Sequence, residues 1–263
     1  MTTPLASLAI PPGLRVVITA GAGGIGRAIA DALLAHGARV MICDVDRAAL
    51  DEFRATHPST RATFADVAQD DDVARLFGEA QTFLGGLDVL VNNAGIAGPT
   101  GAVEEIAPAD WRRCIDVCLT GQFLCAHHAV PMLKAAGGGA MINLSSSAGR
   151  LGYAFRTPYS AAKWGVVGFT QSLAKELGPS NIRVNAILPG VVAGPRIERV
   201  IGARAEQLGV SYAEMEQSYL ARVSMRRMVT AQDVAGSVLY LLSAAGANIS
   251  GQSLGVDANV ETL

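Results

Sequence analysis

A chain of 263 residues, half of them hydrophobic, can bury a large core, and no Pro/Ser-rich linker or charge run divides it, so a single domain over 1–263 is expected. The formal net charge of −2 gives no basic footprint for nucleic acid and no attraction to an anionic membrane. No apolar run is long enough to span a bilayer, and residues 1–12 lack a basic start and are broken by prolines, a poor signal peptide; a soluble cytoplasmic protein is expected.

Short apolar runs then alternate with helical patterns. Strands are predicted at 15–19, 39–43, 60–64, 89–91, 140–144, 183–188 and 253–256. Helices are predicted at 24–36, 47–56, 69–84, 108–135, 159–177 and 231–242. Such alternation is the signature of a mostly parallel sheet covered on both faces. The order fits an α/β doubly wound Rossmann fold with a switch point beside the first strand, where ligands bind. Asp70, Asp71 and Asp72 suit the first turn of the third helix, at the positive end of its dipole. Residues 191–228 are helix-patterned without a strand signal, and a stretch of that length is expected to form a lid rather than a passive connection. Cys114, Cys118 and Cys125 share one face of the helix predicted at 108–135, with His128 near it. The helix rises about 16 Å from 114 to 125, too far for one ion, so no metal site is expected. The stripe reads instead as buried core or subunit contact.

The chemistry collects at strand ends. Thr19-Ala20-Gly21-Ala22-Gly23-Gly24-Ile25-Gly26 follows an apolar strand and opens a helix, and Gly21, Gly23 and Gly26 match G-x-G-x-x-G. Glycines let backbone approach a pyrophosphate, and the helix start offers free N–H groups and a positive dipole. Asp44 ends the second strand, where a carboxylate can accept both ribose hydroxyls and repel a 2′-phosphate, so NAD is favoured over NADP. Tyr159 stands four residues before Lys163 and thirteen after Ser146. With five tyrosines and three lysines in the chain, about 0.06 such Tyr-x-x-x-Lys pairs are expected by chance. Tyrosine, with an ordinary pKa of roughly 10, is a poor base at neutral pH, and a lysine one helical turn away stabilises its phenolate. Ser146 can hydrogen-bond a substrate oxygen; Ser145 and Ser147 compete for that role, and the spacing to Tyr159 selects Ser146.

With Asn92-Asn93-Ala94-Gly95 and Pro189-Gly190 at further strand ends, the sequence resembles the short-chain dehydrogenase/reductase family from about residue 14 to residue 257. The family pattern Thr-Gly-x-x-x-Gly-x-Gly fits Thr19, Gly24 and Gly26 but meets Ala20 where its first glycine belongs. The resemblance implies that Tyr159 is the acid/base and that Lys163 also holds the nicotinamide ribose. It implies an adenine contact at Asp66 and Val67, a helix N-cap being the competing reading of Asp66. Asn93, Ala94 and Gly95 would lie along the adenine ribose, unless Asn92 or Asn93 stitches the central strands together. Pro189, Gly190 and Val192 would meet the nicotinamide end, their backbone taking up contacts that a family threonine makes where this chain has Gly194. Cys118 stands where the family carries an asparagine of the proton relay, and a backbone carbonyl of that helix is expected to serve instead. A homotetramer is implied, through the helices bearing Cys118 and Tyr159 and the last strand, with 239–242 and 260–263 packing on a neighbour.

Serine hydrolase chemistry is disfavoured, because there is no G-x-S-x-G elbow and all four histidines precede Ser146. A halohydrin dehalogenase would carry arginine in place of Lys163. A non-catalytic nicotinamide-binding regulator is the alternative, although such proteins usually lose the tyrosine or the lysine. The sequence therefore predicts an NAD-dependent oxidoreductase interconverting a secondary alcohol and a ketone. Gly152, Tyr153, Phe155 and Arg156 should border the pocket, and Arg196, Arg199 and Arg204 lie in the lid. An arginine there is a candidate for binding a substrate carboxylate or sulfonate, solvated helix faces being the plainer account.

Overall fold

The computed structural model describes residues 8–261, so part of the leader at 1–12 and of the tail at 260–263 lies outside the described residues. Seven strands form one sheet: β1 (Arg15–Thr19), β2 (Arg39–Asp44), β3 (Arg61–Phe64), β4 (Val89–Asn92), β5 (Gly139–Leu144), β6 (Ile182–Pro189) and β7 (Ser253–Val256). Their order is β3-β2-β1-β4-β5-β6-β7, and every pairing is parallel. Each predicted strand is found to within one residue at either end. The chain builds outward from β1 to β3, then returns to the other side of β1 with β4, pairing Val16 with Val89. This reversal opens a crevice beyond the carboxyl ends of β1 and β4.

Both sheet faces are covered, which is why the strands read as continuous apolar runs. Alternate strand residues Val16, Ile18, Val40 and Ile42 pack under α1 (Gly24–Ala35), α2 (Arg47–Thr56) and α9 (Ala231–Leu242) through Ile29, Leu33, Phe53 and Val238. Val17, Met41, Leu90 and Met141 face the other way, against Leu76 of α3 (Asp70–Leu84) and Leu133 of α5 (Gly121–Ala135).

The helix predicted at 108–135 is in fact interrupted. α4 (Pro108–Ile115) runs into a π-helical turn at Asp116–Thr120 before α5 begins. The extra residue in that turn shifts the helical phase and splits the cysteine stripe. Cys114 and Cys118 pack with Ala162 of α6 (Thr157–Leu177), whereas Cys125 enters the core under the sheet. The stretch after β6 forms α7 (Pro195–Leu208) and α8 (Tyr212–Ala221), pinned by lone bridges from Val192 to Val229 and from Val223 to Val260. No helix among the described residues is long and apolar enough to cross a membrane.

Candidate active site

The glycine turn after β1 divides into two jobs. A Cβ on Gly21 would lie 2.6 Å from Ile42 Cγ2, and one on Gly26 would lie 2.1 Å from the Ala20 carbonyl oxygen. These two glycines let the turn and the start of α1 pack against the sheet. Gly23 and Gly24 would meet nothing within 4 Å and present bare backbone to an open cavity. Ala20 adopts φ 49°, the left-handed region, at the place where the family pattern has glycine. Asn93 secures that conformation: its Nδ2 donates to Thr19 O at 3.0 Å and Ala20 O at 2.9 Å. Thr19 Oγ1 in turn accepts from the N–H groups of Asn93 and Ala94 at 3.0 and 2.9 Å. Asn92 reaches Asn143 Oδ1 at 3.0 Å, so both asparagines stitch strand ends together.

Asp44 is fixed before any ligand arrives. Its carboxylate accepts from Ala22 N at 3.1 Å, Val45 N at 2.8 Å and Asp46 N at 3.1 Å, and it lines the cavity beside Gly23, Gly24 and Ile25. A helix start with exposed glycine backbone next to a held carboxylate suits the phosphates and ribose of a dinucleotide. Asp66 and Val67 do not line this cavity. The Asp66 carboxylate pairs with Arg113 at 2.8 Å and accepts from Ala68 N at 3.0 Å, and Val67 packs tightly enough on Gly121 that a Cβ there would come within 2.7 Å. Asp66 is not the cap of α3: Gln69 holds that position, and Asp66 closes the turn ahead of it. Asp70–Asp72 do occupy the first turn of α3, and Asp72 accepts from Asp66 N at 2.9 Å, the contact that most lowers its pKa.

The end of β5 and the first turns of α6 bring the predicted trio together. Ser145 is spent on structure, donating to Lys163 O at 2.7 Å. Ser146 accepts from Ala148 N at 3.2 Å, and its hydroxyl is one of the groups that favour the Tyr159 phenolate. Lys163, only 3% exposed, donates from Nζ to Leu144 O at 2.7 Å and lies 5.7 Å from the Tyr159 ring centre. Burial opposes ionisation of Tyr159, but the charges of Arg196 and Lys163 and the Ser146 hydroxyl outweigh it, so the phenol titrates below its ordinary value.

Two supports were not legible beforehand. Gln122 Nε2 donates to Cys118 O at 3.3 Å and to Leu144 O at 3.2 Å, bracing the same carbonyl that anchors Lys163. A glutamine on an otherwise apolar helix face was the only clue to it. Tyr219 of α8 meets Tyr153 hydroxyl to hydroxyl at 2.8 Å, tying α8 to the loop before α6. The Cys118 thiol is engaged as well, accepting from Ile96 N and donating to Ile96 O, both at 3.4 Å.

All of this surrounds one cavity of about 630 Å³. Gly23, Gly24, Ile25, Asp44 and Asn93 line one end, Ser146, Tyr159, Lys163, Pro189, Gly190 and Val192 line the other, and Gly95 lies beside Lys163. Gly21, Gly26 and Ala94 stand behind the lining as packing residues. Arg156, Arg196 and Arg199 reach the cavity, whereas Arg204 turns away to stack on Phe155, 4.2 Å from its ring centre.

A doubly wound sheet with a dinucleotide crevice and a Ser–Tyr–Lys cluster defines a nicotinamide-linked oxidoreductase. Residues 20–259 match a family model described as "Enoyl-(Acyl carrier protein) reductase". The chain is 38% identical over 244 residues to cis-4-hydroxycyclohexanecarboxylate dehydrogenase of Sinomonas cyclohexanicum, covering 92% of this chain and 94% of that one. It is 33% identical over 249 residues to cyclohexanol dehydrogenase of Acinetobacter sp. (strain SE19), covering 92% and 93%. A solved NAD+-bound xylitol dehydrogenase superimposes with a TM-score of 0.90 at 26% identity, over 94% of this chain and 99% of that one. The chain belongs to the short-chain dehydrogenase/reductase family.

Proposed function

We propose that this protein interconverts a secondary alcohol and a ketone with NAD, using Tyr159 as the acid/base. The observation that carries the reading is the Tyr159 phenol, kept below its ordinary pKa by Arg196, Lys163 and Ser146 against the pull of burial, on a cavity whose far end holds Asp44. When bound, the cofactor supplies the hydride acceptor or donor. In the oxidation direction Tyr159 phenolate takes the hydroxyl proton while Ser146 hydrogen-bonds the same oxygen and steadies its developing charge. Lys163, clamped to Leu144 O, keeps its ammonium beside the phenolate and the ribose site.

NAD is preferred over NADP because Asp44 is locked in place by three backbone N–H groups and cannot swing away from a 2′-phosphate. Asn93, Gly95, Pro189, Gly190 and Val192 complete the cofactor wall. Asp66, Val67 and Ala94, lying off the lining, would contribute only at its margin. The names of the relatives favour a ring alcohol of cyclohexanol size. The protein acts as one unit with a lid at about 191–228, in the cytoplasm and as a homotetramer. Phe123 on α5 and Trp164 on α6, each about half exposed, support assembly through those helices.

Reduction of NAD and of NADP, followed separately with cyclic secondary alcohols, tests this reading. Turnover with NAD at much the lower KM is expected. Tight NAD binding with no turnover on any alcohol or ketone would instead favour the regulator. Light scattering of the purified protein checks the tetramer.

A further inference from the structure

We infer that the substrate alcohol carries an anionic group, a carboxylate or sulfonate, and that Arg156 is the residue that binds it. This rests on the alcohol–ketone reading above and names the substrate class for that site. Arg156 is 4% exposed, yet no carboxylate among the described residues pairs with it. Its Nη2 donates to the Ala97 carbonyl, and its Nε finds no acceptor at all. Burying a guanidinium without a counter-ion is strongly unfavourable. The rings of Tyr153 and Tyr159, each centred 5.1 Å from Arg156 Cζ, offset part of that penalty. They do not satisfy the remaining N–H groups.

The surroundings sharpen the point. Arg156, Lys163, Arg196 and Arg199 line the substrate end of the cavity, and the only acids on the lining, Asp44 and Asp46, stand at the cofactor end. Lys163 is committed to Leu144 O, and Arg196 rests on Gly95 O at 3.3 Å. Arg196 and Arg199 are exposed, so water can meet their other donors, and Arg156 is the buried one of the four whose N–H is left unpaired. A planar guanidinium fork suits a carboxylate or sulfonate, whose oxygens accept two parallel hydrogen bonds. Contact with the Tyr159 ring puts the bound anion within a few bonds of the carbon whose hydroxyl meets the phenol. A compact hydroxy acid fits that span. The charge also explains selection: a neutral alcohol leaves the buried guanidinium unpaired, whereas an acid relieves it.

The test compares 4-hydroxycyclohexanecarboxylate and 4-hydroxycyclohexanesulfonate with 4-hydroxycyclohexanecarboxamide, neutral and similar in shape, at saturating NAD. The wild type should prefer an acid over the amide by at least tenfold in kcat/KM, and the favoured acid tells carboxylate from sulfonate. Arg156→Lys should reduce that ratio several-fold, mainly through KM, and Arg156→Gln should bring it near unity. Equal use of acid and amide by the wild type overturns the proposal. So does an Arg156→Gln variant in which both substrates weaken in the same proportion, the result expected of a residue that merely braces the Ala97 loop. Should no alcohol turn over, the alcohol–ketone reading fails, but the anion site is still tested by calorimetry on the NAD-loaded protein. Cyclohexanecarboxylate should then bind the wild type at least tenfold more tightly than cyclohexanecarboxamide, and that difference should vanish in Arg156→Gln; equal binding overturns the anion site itself.

Discussion

The two ends of the cavity are built from different materials. The end beside β1 and β4 is mostly backbone at strand termini, with Gly23 and Gly24 on the lining and two acids, Asp44 and Asp46, of which Asp44 is oriented by three amides. The end beside α6 and α7 is made of long side chains, Tyr153, Arg156, Tyr159, Lys163 and Arg196, held by contacts among themselves. Backbone fixed by a sheet recognises what many ligands share, a phosphate or a ribose. Side chains on helices can be exchanged one at a time, which suits them to chemistry and selectivity.

That contrast is most exposed at Tyr159. Tyr159→Phe should lower turnover by about a hundred- to ten-thousand-fold, the usual worth of a positioned acid/base, while a fluorescence titration finds NAD affinity almost unchanged. Near wild-type turnover in the variant would remove the side-chain end from the chemistry altogether. At the other end, Asp44→Ala should weaken NAD by about ten- to a hundredfold, since hydrogen bonds to a charged group are worth roughly 1.5–3 kcal/mol. It should also narrow the gap to NADP, and steady-state kinetics with the two cofactors reads both effects.

A smaller effect is expected in the pH profile. With Tyr159 phenolate as the proposed base, oxidation should rise with pH through a Tyr159 pKa that lies below the ordinary value. Arg196 is the strongest of the groups that lower it, so Arg196→Gln should move the rising limb to higher pH and reduce the rate at neutral pH a few-fold. An unmoved limb would leave the lid arginine without an electrostatic part in the reaction.

The smallest change concerns the backbone end. A left-handed residue with a Cβ costs roughly 1–2 kcal/mol, and the looser unfolded chain of glycine returns about 0.4–1 kcal/mol of that. Ala20→Gly should therefore stabilise the fold by about 0.5–1 kcal/mol and raise Tm by roughly 1–3 °C. A fall in Tm would mean that the Ala20 methyl contributes more by packing on the neighbouring core than its backbone conformation costs.

What could be read from the sequence follows the same division. The strands stood out because burial on both faces leaves unbroken apolar runs, and Asp44, Ser146, Tyr159 and Lys163 stood out because their spacing is fixed by strand ends and one helical turn. Ala20 gave no sign of its positive φ, since alanine is not a residue that advertises one. The π-helical turn was invisible because apolar residues continue through it. Arg156 could be placed at the pocket border but not seen to be buried, because its cover by Tyr153 and Tyr159 depends on a loop whose path no local pattern specifies. The pairing of Asp66 with Arg113 was out of reach of any local pattern, because the two residues stand 47 apart in the chain.

The turn at Asp116–Thr120 also sets a rule about length. α4 is phased to the catalytic helix through Cys114, while α5 is phased to the sheet through Cys125, Ala129 and Leu133. A π-helical turn carries an additional residue relative to α-helix, and removing one residue from a helix rotates everything beyond it by about 100°. A deletion between 116 and 120 would therefore act as a gear slip: the cysteine, alanine and leucine would leave the core together, and Gln122 would turn away from Leu144 O. Homologous chains that keep both contacts must conserve this residue count even where they share none of its side chains.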